Sequence, residues 1–248
     1  MKKICALSMF ILLSTHASLG QEHSTQNAGE YFERETARIA GRALADVNSL
    51  PDWQSRRQMY RQQLLEMLGL WPLPPKGDLK ATVVGRLDRP MFVVEKLHFQ
   101  SLPGLYVTAN LYVPKNLSAP APAILYLCGH LRVFKDGVAY GNKSGYQHHP
   151  AWFAENGYVA LIIDTLDLGE IEGEHHGTYN KGYWWWPSRG YTPAGVETWN
   201  AIRALDYLET RREVDATRIG LTGRSGGGAY VWYVAGIDDR PSVLYGTT

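Results

Sequence analysis

The sequence predicts an α/β domain, a mainly parallel sheet flanked by helices, with antiparallel strands and a helical lead-in on its N-terminal side. Three observations carry that prediction. "APAILYLCG" and "GYVALIIDT" are short, almost unbroken apolar runs, the texture of strands covered on both faces. Between residues 192 and 210, Val196, Trp199, Ile202, Leu205 and Leu208 recur at helical spacing. "TRIGLTG" followed by "GGGAYVWYVAG" reads as a strand, a glycine-rich turn and a helix. Strands alternating with helices in this way call for parallel pairing through right-handed crossovers.

Taken in order, Lys2 and Lys3 precede the apolar run 4–13, and small and polar residues follow through Ala17, Ser18 and Gly20. That is the layout of a secretory signal peptide, cut near Ala17 or Gly20, and its apolar run is too short for a stable membrane span. Residues 1–20 are therefore expected to be the signal peptide, 21–80 a helical lead-in with a connector, and 81–248 the α/β core. Helices are expected over 30–47 and 51–68, with Pro51 at a first helical position and Gly69 as a C-terminal cap. "WPLPPKGDLK" is proline-punctuated connector. Residues 81–87, 92–99 and 105–113 alternate apolar and polar residues around "DRP" and "LPG" turns, as an antiparallel hairpin or meander does. A short helix is expected over 150–156, closed by Gly157, and a long one over 192–210, with Thr192 as N-cap and Pro193 at the first position. Residues 240–248 leave room for one further strand at most.

The chain has 248 residues, of which 45% are hydrophobic, ample for a buried core. Its formal charge is +1; residues 1–20 hold two lysines and no acids, so the remainder carries −1. No basic face or tail points to a nucleic-acid partner, and no stable membrane insertion is expected once the signal is removed. Cys5 and Cys128 are the two cysteines, so loss of the signal leaves no intrachain disulfide and stability must come from packing. Asn116-Leu117-Ser118 and Asn142-Lys143-Ser144 match the glycosylation acceptor pattern.

Gly223-Arg224-Ser225-Gly226-Gly227 fits G-x-S-x-G, the sharp strand-to-helix turn that displays a nucleophilic serine. The flanking glycines have a steric purpose, because side chains two residues either side would crowd a strained, tightly packed turn. The stretch lacks the Gly-Lys-Ser/Thr ending of a phosphate-binding loop. An ester-cleaving serine also needs donors for the developing oxyanion, each worth about 2.7–4 kcal/mol. The backbone N–H of Gly226 is one candidate and that of His130, in "YLCGH", the other, with Gly129 allowing a close turn.

"GLYVTANLYVPKN", "PAILYLCGH", "GYVALIIDTLDLGE" and "RIGLTGRSGGGAY" resemble, in order, successive blocks of secreted α/β-hydrolases of the acetyl xylan esterase and dienelactone hydrolase-like group, over roughly residues 81–239. The resemblance implies a carbohydrate-ester or related carboxylic-ester substrate and a Ser-acid-His mechanism, while the signal-peptide layout implies a secreted or periplasmic location. Ser225 matches its nucleophile, Gly226 and His130 its oxyanion positions, and Asp164 a structural acid. The pattern then breaks. The triad order in this fold is serine, acid, histidine, yet only 23 residues follow Ser225 and none is histidine. Asp238 and Asp239 suit a helix cap or surface turn. The chain is expected to be truncated and inactive or nearly so; His148, His149, His175 and His176 are upstream substitutes that the resemblance assigns to other duties.

"EIEGEHHGTYN" crowds Glu170, Glu172, Glu174, His175 and His176 together, but adjacent ligands in one loop seldom close a tetrahedral set, so no metal and no cofactor are expected. The loop reads instead as a polar active-site rim. In "YWWWPSRGY", Trp184, Trp185 and Trp186 offer either stacking faces to a sugar ring or packing onto the core. Arg224 suits either steering of an acidic substrate or a structural ion pair. The expected partner is a small-molecule or polysaccharide ester, and the oligomeric state is left open. Two other readings stand beside the esterase: a serine peptidase of the prolyl oligopeptidase kind, and a non-catalytic sugar-binding remnant.

Overall fold

The computed structural model describes residues 19–247, with side chains from residue 28 onward. The proposed signal peptide falls almost wholly outside the described residues. Two compact units divide the chain, Met1–Arg57 and Gln58–Thr248. The first holds α1 (Leu19–Ala40) and the start of α2 (Leu50–Leu68), and it carries local ion pairs such as Arg56 with Asp46. Helix α1 begins well before residue 30, where periodicity first marks it, and ends at Ala40 in a series of turns. Among the described residues no helix is long and apolar enough to cross a membrane.

The second unit is built on a seven-stranded sheet: β1 (Thr82–Asp88), β2 (Phe92–Leu102), β3 (Leu105–Pro114), β4 (Ala121–Leu127), β7 (Val159–Ile163), β8 (Val214–Arg224) and β9 (Pro241–Thr247), in spatial order β1-β2-β3-β7-β4-β8-β9. A separate two-stranded ribbon, β5 (Phe134–Lys135) with β6 (Val138–Ala139), lies in the loop after β4. β1 to β3 form the antiparallel meander, with Gly104 at φ 83° in the turn where only glycine is relaxed. β3 meets β7 antiparallel, and from there β7, β4, β8 and β9 run parallel. The sheet is thus mixed, with its parallel half in the order that crossovers through helices demand.

Period-two alternation settles which side chains meet which layer. In β7, Val159, Leu161 and Ile163 face the larger core, while Ala160 and Ile162 face the opposite one. The larger core is covered by α7 (Pro193–Glu209) and α8 (Gly226–Ile237), the other by α4 (His148–Glu155). α7 starts as its sequence dictates: Thr192 Oγ1 accepts the N–H of Gly195 at 2.9 Å, and Pro193 occupies the first turn. Trp199, Leu205 and Leu208 are essentially inaccessible. The last turns of α2 dock through Leu65 and Leu68 on Trp199 and Ile202. Each such burial is worth about 1.5–3 kcal/mol, enough in sum to hold strained loops at the sheet's edge.

The remaining helices, α3 (Asn142–Gly145), α5 (Gly177–Lys181) and α6 (Trp185–Ser188), are single turns in the loops after β4 and β7. β9 forms one edge of the sheet, and its Val243, Leu244 and Tyr245 are exposed.

Candidate active site

Three loops leave the carboxyl ends of neighbouring parallel strands, the place where open α/β sheets gather ligands. The loop after β8 is the serine turn. Ser225 sits at φ 55°, ψ −125°, a conformation that costs a non-glycine residue about 1–3 kcal/mol, and its side chain is exposed. Its neighbours explain how that strain is held. A Cβ on Gly223 would sit 2.6 Å from the backbone of Gly227, and one on Gly227 would run into the carbonyl of Leu127 at the end of β4. The Ser225 N–H donates to the Thr247 carbonyl at 2.6 Å, tying the turn to β9. Gly226 opens α8, so its N–H has no carbonyl partner within the helix.

The loop after β4 runs Cys128-Gly129-His130. A Cβ on Gly129 would lie 2.5 Å from the Arg224 carbonyl oxygen and 3.1 Å from Ser225 Cβ, so glycine here allows this loop to touch the serine turn. Asn142, which sequence reasoning took only as a glycosylation acceptor, is fully buried and clamps this loop. Its side-chain N–H₂ donates to the Gly129 carbonyl at 2.9 Å, and its oxygen accepts the Thr165 N–H at 3.0 Å. Cys128 is buried, which pushes its thiol well above the ordinary range.

The loop after β7 brings the third set. Asp164 is saturated: Thr108 Oγ1 donates to it at 2.6 Å, the Lys143 N–H at 3.0 Å, and the buried Lys143 ammonium pairs with it and with Glu170. Farther on, His175 is buried, and its Nε2 is 2.6 Å from Nε2 of His130. His176 stacks on the His130 ring at 5.4 Å between centroids. Burial, and then the neighbouring His175 and His176, lower the His130 pKa. Behind His175 stands Glu197 of α7, 3% exposed, whose Oε1 accepts the Leu166 N–H at 2.6 Å and lies 3.7 Å from His175 Nδ1. Burial raises the Glu197 pKa, against the pull of His175 and the Leu166 N–H. The "EHH" segment is therefore not a self-contained rim: it converges with His130 from another strand.

The other candidates separate. Trp186 is 8% exposed and packs on Tyr183 and Tyr191, whereas Trp184 and Trp185 are 66% and 52% exposed. Sequence left stacking and packing open for all three tryptophans; the fold packs Trp186 and leaves its two neighbours on display. Arg224 is exposed beside the turn, within electrostatic reach of Tyr126, Tyr146 and His149. His148 and His149 start α4, where His149 stacks on Tyr126. Asp238 caps α8 and pairs with Arg240, and Asp239 pairs with Arg61. Glu197 had one sequence signal, a carboxylate in the row formed with Ala201, Ala204 and Leu208 on a buried helix face.

No protein-family model matches the sequence. YtaP of Bacillus subtilis (strain 168), named as a hydrolase, is 28% identical over 187 residues, which are 74% of this chain and 61% of YtaP. A Bacteroides fragilis NCTC 9343 protein described as an acetyl xylan esterase superposes with a TM-score of 0.64 at 19% identity, over 79% of this chain and 53% of that one. This is an α/β-hydrolase fold. A glucuronoyl esterase from Solibacter usitatus shares it at a TM-score of 0.55 and 20% identity, over 79% of this chain and 59% of its own. The chain thus spans between half and two thirds of the length of these relatives.

Proposed function

We propose that this α/β-hydrolase chain carries the nucleophile and oxyanion hole of a serine-type carboxylic ester hydrolase acting on an esterified carbohydrate in a secreted or periplasmic setting. The observation that carries the reading is Ser225 itself, held at positive φ between a parallel strand and a helix, with Gly223, Gly227 and Gly129 leaving no room for side chains around it. Ser225 Oγ attacks the ester carbonyl, and the backbone N–H groups of Gly226 and His130 receive the oxyanion. The carbohydrate assignment draws on what the structural neighbours are named for and on the exposed Trp184 and Trp185 as stacking faces. Asp164, spent on Lys143 and Thr108, is a structural acid.

The test is hydrolysis of an aryl acetate by the purified chain and by Ser225→Ala, with fluorophosphonate labelling read by intact mass. The expected result is labelling at one site, and any turnover above background, that Ser225→Ala abolishes. Equal turnover with and without the serine would overturn the assignment.

A further inference from the structure

Three histidines from two loops meet beside the serine turn: His130, His175 and His176 place ring nitrogens all within 4.8 Å of one another. The expectation that this protein holds no metal weighed only the acidic loop's own residues, and His130 is what that loop lacked. Three features distinguish the cluster from a chance gathering of imidazoles. The 2.6 Å approach of His130 Nε2 to His175 Nε2 aims both ring nitrogens at one spot, which either a proton shared in an N–H···N bond or a cation can occupy. His175 is buried with its Nδ1 lacking any hydrogen-bond partner among the described residues, and the group it faces is Glu197 Oε1 at 3.7 Å. A carboxylate behind the far nitrogen of a histidine is the arrangement that orients metal-bound imidazoles and raises their basicity. Finally, His130 and His176 are exposed while His175 is buried, so a centre between them is anchored at the back and open to solvent at the front.

We infer that His130, His175 and His176 form a binding site for a divalent transition metal of the zinc class, with Glu197 orienting His175 and a fourth position open to water or a substrate oxygen. Three neutral imidazoles favour zinc, cobalt, nickel or copper over magnesium or calcium. Zn–N bonds of about 2.0–2.1 Å in a tetrahedron set ligand nitrogens about 3.4 Å apart. The His130–His175 pair would have to open by about 0.8 Å, and the widest pair to close by about 1.4 Å. Swings of that size suit exposed imidazoles on loops. The site adjoins the serine turn, since a Cβ on Gly226 would lie 2.5 Å from His130 Cε1. The inference rests on the histidine geometry and not on the esterase reading, so either can fail alone.

The experiment uses the untagged chain, stripped with a chelator and titrated with Co²⁺, read by the visible ligand-field bands of four- or five-coordinate cobalt and by displacement with Zn²⁺. One equivalent is expected to bind, with the bands lost in His176→Ala and His130→Ala and retained in His148→Ala/His149→Ala. Because His176 is exposed, its replacement leaves the fold intact, which circular dichroism checks. Absence of stoichiometric uptake by the wild-type chain, or bands that survive both single substitutions, would overturn the site.

Discussion

Asp164 and Glu197 are both buried carboxylates at the same end of the sheet, and they have opposite surroundings. Asp164 takes a hydroxyl, a backbone N–H and a buried ammonium, so its accepting capacity is filled from within the fold. Glu197 has one short bond, from the Leu166 N–H, and beyond it a histidine nitrogen held at 3.7 Å. Burial pushes its pKa up, against the pull of His175 and the Leu166 N–H. The contrast teaches how to separate a structural acid from one kept for something outside the protein: a closed set of donors stabilises the fold, and an open set reserves capacity.

The largest expected effect breaks the closed set. Asp164→Asn leaves the Lys143 ammonium, 6% exposed, with only the half-exposed Glu170, and loss of one partner of a buried pair costs about 3–5 kcal/mol. Glu170→Gln, at 45% exposure, is expected to cost less than about 1 kcal/mol. Adding Lys143→Met to Asp164→Asn should recover part of the loss, since it removes the stranded charge. Urea midpoints on the four proteins decide the matter; equal costs for Asp164→Asn and Glu170→Gln would mean that Asp164 is no hub.

Such contrasts mark the boundary of what the sequence makes legible. The serine turn is legible because its demands fall within five consecutive residues, where glycine spacing records them directly. The α7 start is legible for the same reason, with Thr192 and Pro193 adjacent to the helix they begin. The meander and its turn at Pro103-Gly104 follow from alternation and local φ. By contrast, His130 meets His175 across 45 residues, Asn142 ties its own loop after β4 to the loop after β7, and Glu197 reaches Leu166 and His175 of that second loop from a helix. No window of sequence holds these pairings, because the sheet order that creates them places β7 and β8 on either side of β4. The single-turn helices and the β5–β6 ribbon escape as well, being too short to establish a period.

Asp206 offers an intermediate case between the two carboxylates. It is 13% exposed and pairs with Lys76 at 2.8 Å, with Arg240 at 2.6 Å and with Arg203. Burial works to raise its pKa, but the bonds from Lys76 and Arg240 outweigh burial and hold the carboxyl below its ordinary value. The unfolded chain therefore binds the proton first as pH falls. The stabilisation is fully present above the unfolded value near pH 4 and is lost as pH drops through the lower folded value. Asp206→Asn is expected to cost about 1–2 kcal/mol at neutral pH, discounted for its exposed lysine partner. Its deficit against wild type should close below about pH 4, as denaturation at a series of pH values would reveal. A deficit unchanged at pH 3 would place the effect in packing and not in charge.

The smallest effect on stability is expected where the set is open. Glu197→Gln keeps an oxygen for the Leu166 N–H and removes only the charge, whose burial the fold already penalises, so its net cost should be under about 1 kcal/mol. The same substitution removes the carboxylate behind His175 and should weaken Co²⁺ binding by about 10- to 100-fold. Stability and metal affinity are therefore predicted to part company at Glu197, which is where the comparison is sharpest. If Glu197→Gln instead unfolds the protein as Asp164→Asn does and leaves cobalt affinity unchanged, Glu197 is a second structural hub. Its distance from His175 would then reflect packing of α7 under the loop, and the reserve of accepting capacity would have no external claimant.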